Sequence, residues 1–363
     1  MVPAGWRPAE AMGMRQMKAA VYERYGSPEV VAIAEAPRPA AGEGAILVKV
    51  AAASVSTADW RMRASAFPGG LWLPGRLMTG LFAPRHRILG TDFAGTVAET
   101  GPGVTRWKAG DAVFGFSGHG GHAEYLAMPQ DGPMAAIPPG TGFEEAAAMP
   151  FGALSALVFL RDFARLRAGQ RVLVLGASGG VGAFAVQIAR HLGAEVTGVA
   201  SGANLDLLRD LGAAQVIDYT REDFAAADRR WDAILDTVGA TRFARARTAL
   251  TPEGVYIPLE FGLKEAGQAL VSAIRGGQRM RLGVSGDTRA DLEILAGLLE
   301  RGEIRGVIDE IFPLAAIAEA YRRVESRHKR GAVILAIDPE AITGRAQAPA
   351  TAAPKLAFGA DAH

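Results

Sequence analysis

The sequence predicts an α/β protein in which a β-rich first domain is followed by a domain built on a doubly wound parallel sheet. Between residues 18 and 127, short apolar segments alternate with turn signals, which is typical of a small antiparallel barrel or sandwich. From about Pro150 onward, strand-like and helical segments alternate, and this alternation favours parallel strands joined by crossover helices. A chain of 363 residues has room for two such domains.

The predicted elements follow this division along the chain. In the first part, the stretch that follows Arg63 and ends at His86 is rich in proline and glycine and long enough to be a functional loop. An alanine-rich helical segment at 143–160 marks the passage into the second part. Strands are predicted at 18–22, 30–33, 45–52 and within 88–98, 101–115 and 118–127, then at 172–175, 196–200, 215–217, 233–237, 255–259, 282–285, 308–312 and 332–337, with helices between the later strands, at 289–301 and at 314–324.

A strand, a glycine turn and a helix follow one another directly in the second part. Four apolar residues at 172–175 suit a buried central strand, and apolar residues recur at helical spacing over 184–192. The first glycine can make a tight turn, another lets the backbone approach a pyrophosphate, and the last lets the helix pack on the strand. This context favours a dinucleotide phosphate site over an ordinary strand-to-helix turn. The predicted phosphate-site residues are Gly176, Ser178, Gly179, Gly180, Val181 and Gly182.

Composition excludes several classes of function. The chain is 49% hydrophobic and 21% charged with a formal net charge of +1, so nothing points to nucleic acid or an anionic membrane as a partner. The absence of cysteine excludes disulfides, thiolate zinc sites and cysteine nucleophiles, and it fits a cytoplasmic location. Nothing at the start resembles a signal peptide, and 1–16 and 339–363 are expected to be flexible tails.

Six short segments carry a recognisable pattern: Gly90-Thr-Asp-Phe-Ala-Gly-Thr, Gly101-Pro-Gly-Val, Gly110-Asp-Ala-Val-Phe-Gly, Gly121-His-Ala-Glu-Tyr, Gly176-Ala-Ser-Gly-Gly-Val-Gly and Lys329-Arg-Gly-Ala-Val-Ile-Leu. Together they resemble the medium-chain dehydrogenase/reductase superfamily, in its zinc-independent quinone oxidoreductase-like branch. The resemblance implies a GroES-like catalytic domain formed by 17–149 and 306–338, a Rossmann NADPH-binding domain at 150–305, and an active site in the cleft between them. It also implies a homodimer.

The sequence departs from the zinc-dependent members of that superfamily. Those members carry a cysteine in the loop after the early strand and a Gly-His-Glu motif, whereas the equivalent stretches here are 55–59 and 90–92. Because Thr91 offers only a hydroxyl in place of the imidazole and no thiolate is available, we expect no zinc site. Three histidines of this domain fit no closed ligand set and are interpreted as ordinary loop residues: His86, His119 and His122.

The expected chemistry follows from the expected absence of a zinc site. Without a Lewis acid, adding hydride to a conjugated carbonyl is easier than removing it from an alcohol. The resemblance therefore implies an oxidoreductase that uses NADPH to reduce quinones, enones or enals, with a small hydrophobic carbonyl compound or quinone as its substrate. Two alternatives stay open: a zinc-independent alcohol or aldehyde dehydrogenase, and a non-catalytic NADPH-binding interaction or sensor protein.

The loop after the early strand supplies the candidate catalytic groups. Related quinone reductases have Asn-Pro-x-Asp where this chain reads Ser56-Thr-Ala-Asp59, so the resemblance implies active-site roles for Ser56 and Asp59. The alternative for Asp59 is a helix N-cap. Trp60, Arg63 and Leu71 are predicted to line the cleft, with packing as the alternative. The apolar stretch that begins at Leu71 is either a lid over the substrate or a loop packed on the protein's own core or on a second subunit.

The end of the second strand of the parallel sheet bears on which nicotinamide nucleotide binds. NAD sites usually hold the ribose hydroxyls with an acidic residue there, whereas 199–204 contains none. A serine and an asparagine leave room for a phosphate instead, and a tyrosine after the third strand resembles the one that the family places beside the adenosine phosphate. NADPH is therefore predicted over NADH. The predicted residues of this part of the site are Ser201, Asn204, Tyr219 and Val238, with Arg221 and Lys329 as further candidates.

Overall fold

The computed structural model describes residues 15–226 and 229–345. Within these residues the strands are β1 (Gln16–Val21), β2 (Ala32–Pro37), β3 (Ala45–Val55), β4 (Asp92–Thr100), β5 (Ala112–Phe116), β6 (Tyr125–Pro129), β7 (Met134–Ala136), β8 (Arg171–Leu175), β9 (Glu195–Ala200), β10 (Gln215–Asp218), β11 (Trp231–Asp236), β12 (Leu250–Pro258), β13 (Arg279–Met280), β14 (Ile308–Pro313) and β15 (Ala332–Ala336). The helices are α1 (Thr57–Ala64), α2 (Trp72–Thr79), α3 (Phe143–Ala147), α4 (Pro150–Val158), α5 (Gly180–His191), α6 (Leu205–Asp210), α7 (Phe243–Ala249), α8 (Leu263–Arg275), α9 (Arg289–Glu300), α10 (Ile317–Glu325) and α11 (Pro339–Arg345).

The first sheet is built around the long strand β3. Almost all of its residues are apolar and buried, because the strand is covered on both faces. β4 and β15 pair with it in antiparallel fashion, and β14 runs parallel to β15 at one edge. The order is β14-β15-β3-β4-β5-β7, with β6 also paired to β3. Strands from the last part of the chain therefore lie in the same sheet as strands from its beginning.

The second sheet is parallel, with the order β10-β9-β8-β11-β12-β13. Its central strand β8 is buried over Val172 to Leu175, and α5 covers it with a face of small and large apolar residues that recur at helical spacing. The order reverses at β8, which has β9 on one side and β11 on the other. In sheets of this kind, a crevice opens beyond the carboxyl ends of the strands at the point of reversal, and ligands bind there.

Several elements differ from the predicted ones, and three of these differences change the description of the site or of the chain end. The stretch predicted as a proline- and glycine-rich loop contains α2, which is held by packing of Gly75 on Phe67 and is followed by a bond from Arg76 to the Leu81 carbonyl oxygen. The strand predicted at 282–285 is also displaced. The sixth strand of the parallel sheet is β13, which ends at Met280, before the predicted strand begins. The chain also continues into α11, where a flexible tail is predicted, because Ala341 and Ile342 pack against the core. The remainder of that tail, 346–363, lies outside the described residues, as does 1–14.

No helix among the described residues is long and apolar enough to cross a membrane.

Candidate active site

The glycine turn between β8 and α5 leaves open space above the start of the helix. Gly176 has a φ of +71°, and a Cβ there would lie 2.6 Å from Val238. A Cβ on Gly182 would lie 2.2 Å from the Gly176 carbonyl oxygen, so a glycine is needed for α5 to pack this closely on β8. At Gly179, the N-cap of α5, a Cβ would meet only that same oxygen, at 3.3 Å. The first N–H groups of α5 have no partner within the helix, and the open space beside them fits a pyrophosphate.

A groove of about 570 Å³ runs from this turn across the carboxyl ends of the parallel strands. It brings together most of the residues that the sequence predicts for the cofactor. Gly180 and Val181 line the neighbouring cavity instead, and Gly182 is buried beneath the turn. The predicted residues that line the groove are Gly176, Ser178, Gly179, Ser201, Asn204, Tyr219 and Val238.

The far end of the groove has a neutral floor and a rim that carries charges of both signs. The Asn204 side-chain amide donates to the Ser201 hydroxyl at 3.1 Å, and Tyr219 is 60% exposed beside them. Arg245 forms an ion pair of 2.7 Å with Asp223. At this end Arg221 and Arg245 meet Glu222 and Asp223, whereas Arg327 and Lys329 lie beside the glycine turn. The charged residues that line the groove are Arg221, Arg245, Arg327 and Lys329 against Glu222 and Asp223.

One acid does lie near the end of β9, although it comes from the next strand. Asp218 ends β10, and a Cβ on Gly202 would lie 2.7 Å from its Oδ2. The Asp218 carboxylate accepts bonds from the Thr220 hydroxyl at 2.8 Å and the Thr220 N–H at 3.0 Å, which lower its pKa. Asp218 does not line the groove, so its charge is used to close its own turn.

Lys329 reaches the start of α5 from the loop before β15. Its Nζ lies 2.9 Å from the position of a Cβ on Gly180 and donates to the Gly331 carbonyl oxygen at 2.6 Å. Burial lowers the pKa of Lys329 to about 8. An anion at the start of α5 opposes that effect and favours the charged ammonium, so Lys329 is suited to hold a phosphate of the cofactor.

A smaller cavity lies where the two domains meet, directly beside the glycine turn. Two of the predicted active-site residues, Ser56 and Trp60, line it, and Phe151 and Val238 contribute apolar surface from the other side. The cavity combines apolar walls with a few polar groups, which is typical of a site for a small organic substrate. Its lining comes from both domains and includes Ser54, Val55, Ser56, Trp60, Asp92, Phe151, Gly179, Gly180, Val181, Val238, Glu260, Val324, Arg327 and Lys329.

Ser56 and Asp59 form the N-terminal capping box of α1. Ser56 is the N-cap, and its hydroxyl accepts from the Asp59 N–H at 3.1 Å. The Asp59 carboxylate is fully buried and accepts from the Ser56 N–H at 2.8 Å and from the N–H groups of Gly90 and Thr91 at 3.1 Å. Asp59 therefore joins α1 to the turn before β4. It lies behind Ser56 and does not line the cavity. The alternative that Asp59 is the N-cap is wrong, because Ser56 holds that position and Asp59 is the third residue of the helix.

Two of the predicted substrate residues do not line the cleft. Arg63 is fully buried, forms an ion pair with Glu325 and lies with its guanidinium carbon 4.8 Å from the centre of the Tyr321 ring. It therefore joins α1 to α10. Leu71 precedes α2, and the apolar stretch that it begins lines neither the groove nor the cavity. That part of the chain meets the parallel-sheet domain at Gly69, whose carbonyl oxygen accepts from the Leu263 N–H at 2.9 Å.

Asp92 is a site residue that the sequence reasoning missed. It is the first residue of β4, it is buried, and it lines the cavity. Its Oδ2 accepts from the Ser54 hydroxyl at 2.7 Å and from the Phe151 N–H at 3.2 Å, whereas its Oδ1 is buried without a hydrogen-bond partner among the described residues. Burial raises its pKa to about 8. A carboxylate at the start of an apolar strand was the available signal, but the motif was used only to exclude zinc.

Glu260 is the second site residue that was not predicted from the sequence. It follows β12 and pairs with Arg61 of α1 at 3.0 Å and with Arg327, which also donates to the Val238 carbonyl oxygen at 2.9 Å. These ion pairs cross from one domain to the other at the edge of the cavity, so they fix the distance between the walls of the cleft.

The three histidines of the first domain contact other groups of the protein. The rings of His86 and His119 stack with their centres 3.7 Å apart, and His122 is buried, with its Nε2 2.8 Å from the Ser54 carbonyl oxygen. Across 15–226 and 229–345, no three histidine, aspartate or glutamate side chains come together in a group that could hold a metal ion. The donor set of this domain does not fit zinc, because Thr91 and Ser56 offer only hydroxyls.

The fold and the site define an oxidoreductase with a GroES-like catalytic domain and a Rossmann-type nucleotide-binding domain. The family model described as the alcohol dehydrogenase GroES-like domain matches residues 42–139, and the one described as zinc-binding dehydrogenase matches 211–335. The chain belongs to the medium-chain dehydrogenase/reductase superfamily, in its quinone oxidoreductase-like branch. The predicted fold class and family are thereby confirmed, as is a nicotinamide nucleotide as the class of cofactor.

Three known proteins illustrate the similarity. The chain is 30% identical over 340 residues to the chloroplast envelope quinone oxidoreductase homolog of Arabidopsis thaliana, covering 89% of this chain and 99% of that one. It is 29% identical over 344 residues to the chloroplastic NADPH-dependent alkenal/one oxidoreductase of the same plant, covering 90% and 81%. The structure of the quinone oxidoreductase from Coxiella burnetii superimposes with a TM-score of 0.79 at 28% identity. The match covers 89% of this chain and 100% of that one.

Proposed function

We propose that the protein is an NADPH-dependent, zinc-independent reductase of quinones or of α,β-unsaturated carbonyl compounds. The observation that carries the proposal is the continuity of the site. The groove that suits the nucleotide ends at the glycine turn, and the apolar cavity between the domains begins at the same turn. The names of relatives that reduce quinones and alkenals or alkenones support this substrate class.

Each part of the site has its own task in this proposal. When bound, the reduced nicotinamide supplies the hydride. The glycine turn and Lys329 hold the phosphates, and Val238 and Phe151 exclude water from the cavity. The Ser54 and Ser56 hydroxyls also line the cavity, where they donate to the carboxylates of Asp92 and Asp59 and thereby hold the polar part of its wall in place. The activity is tested by following NADPH oxidation with a panel of quinones, enones and alkenals.

NADPH is proposed over NADH because the floor of the groove is neutral at Ser201 and Asn204 and its rim carries arginines. Replacing Ser201 by aspartate is expected to raise the Kd for NADPH by roughly tenfold or more, since a carboxylate is then placed against the phosphate. Titration of the protein with NADPH and NADH measures this change. The control is Ser201→Asn, because asparagine has nearly the same size as aspartate but no charge. This variant is expected to keep the preference for NADPH. If Ser201→Asp binds NADPH as tightly as the wild type does, Ser201 is not at the phosphate.

We further propose that the catalytic domain comprises 17–149 and 306–338, that the nucleotide-binding domain comprises 150–305, and that the enzyme acts in the cytoplasm. The strand order, in which β14 and β15 join the first sheet, supports these limits. The lack of cysteine fits a reducing compartment.

A homodimer is also proposed. Large apolar side chains of α8 are exposed beside β13, the edge strand of the parallel sheet: Leu263, Leu270, Val271 and Ile274. A second copy that covers this face buries apolar surface and an unpaired strand edge together. Light scattering is expected to give twice the chain mass, and Ile274→Glu is expected to shift it toward the mass of one chain. A single-chain mass for the wild-type protein excludes the dimer.

A further inference from the structure

The apolar stretch that begins at Leu71 has no task in the site described above. Its side chains line neither the groove nor the cavity, and six large apolar ones on α2 and the turn after it are 38% to 91% exposed. Single exposed apolar side chains are normal on a protein surface, whereas a contiguous group marks an interaction surface. This surface, called the α2 face below, consists of Trp72, Leu73, Leu77, Met78, Leu81 and Phe82.

Packing on the other side of α2 fixes this face outward. Gly75 is buried, and the Tyr25 hydroxyl donates to the Gly80 carbonyl oxygen at 2.8 Å, where the helix ends. An α-helix turns by about 100° per residue, so Leu73 and Leu77 project from the side opposite Gly75. The α2 face is therefore held by the fold and needs no rearrangement to meet a partner.

The charges around the α2 face are mostly positive. The sequence has no acidic residue from 60 to 91, and the turn after α2 carries Arg85 and Arg87. Arg87 pairs with Glu23 at 3.4 Å, whereas Arg85 and Arg24 are exposed and form no ion pair within the part of the chain that the structure describes. The formal net charge of +1 averages over the whole chain and does not reveal this local excess.

Arg76 joins the apolar and the charged parts of this surface. Its guanidinium carbon lies 3.8 Å from the centre of the Tyr25 ring and 5.5 Å from that of Trp72, and its Nε donates to the Leu81 carbonyl oxygen at 3.0 Å. The arginine thus places positive charge at the edge of the apolar side chains. An apolar centre with a cationic rim matches the boundary between lipid chains and anionic headgroups, where amphipathic helices insert their apolar face.

A second copy of the chain fits the α2 face less well. In a symmetric pair the same patch meets itself, so the arginines of the two copies approach each other, and no acid within 60–91 offsets them. An anionic lipid surface supplies the negative charge that this stretch lacks.

We propose that the α2 face docks the protein on an anionic lipid surface. The apolar side chains insert at the level of the headgroups, and Arg24, Arg76 and Arg85 contact lipid phosphates. The protein then lies on the bilayer and does not cross it. Docking requires neither the nucleotide nor turnover, so this inference stands or falls separately from the proposed function.

Flotation with vesicles tests the docking on the full-length protein. The wild type is expected to float with vesicles of phosphatidylglycerol and phosphatidylcholine in equal amounts, and to bind them about tenfold or more tightly than phosphatidylcholine alone, because arginines near an anionic surface add to the binding. Raising the salt from about 0.1 M to about 1 M shortens the Debye length from about 10 Å to about 3 Å and is expected to remove this preference.

Two variants separate the apolar from the charged contribution. Leu77→Asp combined with Phe82→Asp is expected to weaken binding to the mixed vesicles by about 100-fold or more, because two large apolar side chains no longer leave water. Arg85→Gln is expected to weaken it by about fivefold and to leave binding to phosphatidylcholine alone unchanged. Melting temperature and affinity for NADPH are expected to match the wild type in both variants, since the replaced side chains are exposed and line neither the groove nor the cavity.

The matched control adds the same two charges elsewhere. Val284 and Ile294 are 79% and 47% exposed and lie outside the α2 face, so Val284→Asp combined with Ile294→Asp is expected to float as the wild type does. Equal losses of flotation in this control and in the variant of the α2 face overturn the proposal, because the added charge alone then explains the loss.

Three further results also contradict the docking. The first is a wild-type protein that does not float with the mixed vesicles, and the second is undiminished flotation of the variant with Leu77→Asp and Phe82→Asp. The third comes from light scattering without lipid, in which this variant is expected to have the same mass as the wild type. A fall from two chains to one shows instead that a second copy covers the α2 face.

Discussion

Replacing Gly179 by valine is expected to weaken NADPH binding by about 100-fold while leaving the fold intact. A Cβ at this position meets only one carbonyl oxygen of the protein, at 3.3 Å, and the φ of −80° at Gly179 is open to any residue, so little strain is expected. It does occupy the space in which the backbone has to approach the pyrophosphate. Losing one or two hydrogen bonds to a charged phosphate costs about 1.5–3 kcal/mol each. Calorimetric titration with NADPH and a thermal melt measure the two effects.

Two other glycines make the comparison specific. Gly42→Val adds the same side chain in an exposed turn, where no atom lies within 4 Å of the new Cβ, and is expected to change neither binding nor stability. Gly182→Ala places a Cβ 2.2 Å from the Gly176 carbonyl oxygen and is expected to lower the melting temperature. If Gly179→Val binds NADPH as the wild type does, the phosphates do not lie at this turn.

Removing the carboxylate of Asp59 is expected to cost about 3–5 kcal/mol of folding free energy. Asp59→Ala leaves the N–H groups of Ser56, Gly90 and Thr91 without their acceptor in the interior, and each such group costs about 1–3 kcal/mol. Urea denaturation measures the loss. The exposed pair of Asp206 and Arg209 on α6 provides the control, since Asp206→Ala is expected to cost less than about 0.5 kcal/mol.

The same variant separates a structural role of Asp59 from a catalytic one. The folded fraction of Asp59→Ala is expected to keep its affinity for NADPH, because the carboxylate lines neither the groove nor the cavity. A variant that is as stable as the wild type but has lost turnover contradicts this account and returns Asp59 to the chemistry.

The nucleotide half of the site could be predicted because its signals are local. The strand, glycine turn and helix are contiguous in sequence, and each glycine answers to a backbone constraint within a few residues. The serine at the end of β9 could likewise be identified by counting along the chain. Tyr219 was identified through the family resemblance, and it lines the groove as the resemblance implies.

The catalytic half could be predicted only in part, because its roles depend on which side chains are buried. Ser56 and Asp59 have the spacing of a capping box, a local signal that was available and explains both residues. Nothing local to Arg63 shows that Glu325, 262 positions later, pairs with it in the interior. The same holds for Asp92, whose partners Ser54 and Phe151 come from distant parts of the chain.

The most direct test of the central claim is an assay of NADPH oxidation by the purified protein, with and without EDTA. The acceptors are an enone and a quinone. The reverse assay supplies a primary alcohol and NADP⁺. The account predicts that NADPH is consumed with the enone or the quinone at a rate that EDTA does not change, and that the alcohol gives no NADPH. Alcohol-dependent formation of NADPH that EDTA abolishes contradicts it, as does tight NADPH binding without turnover of any acceptor.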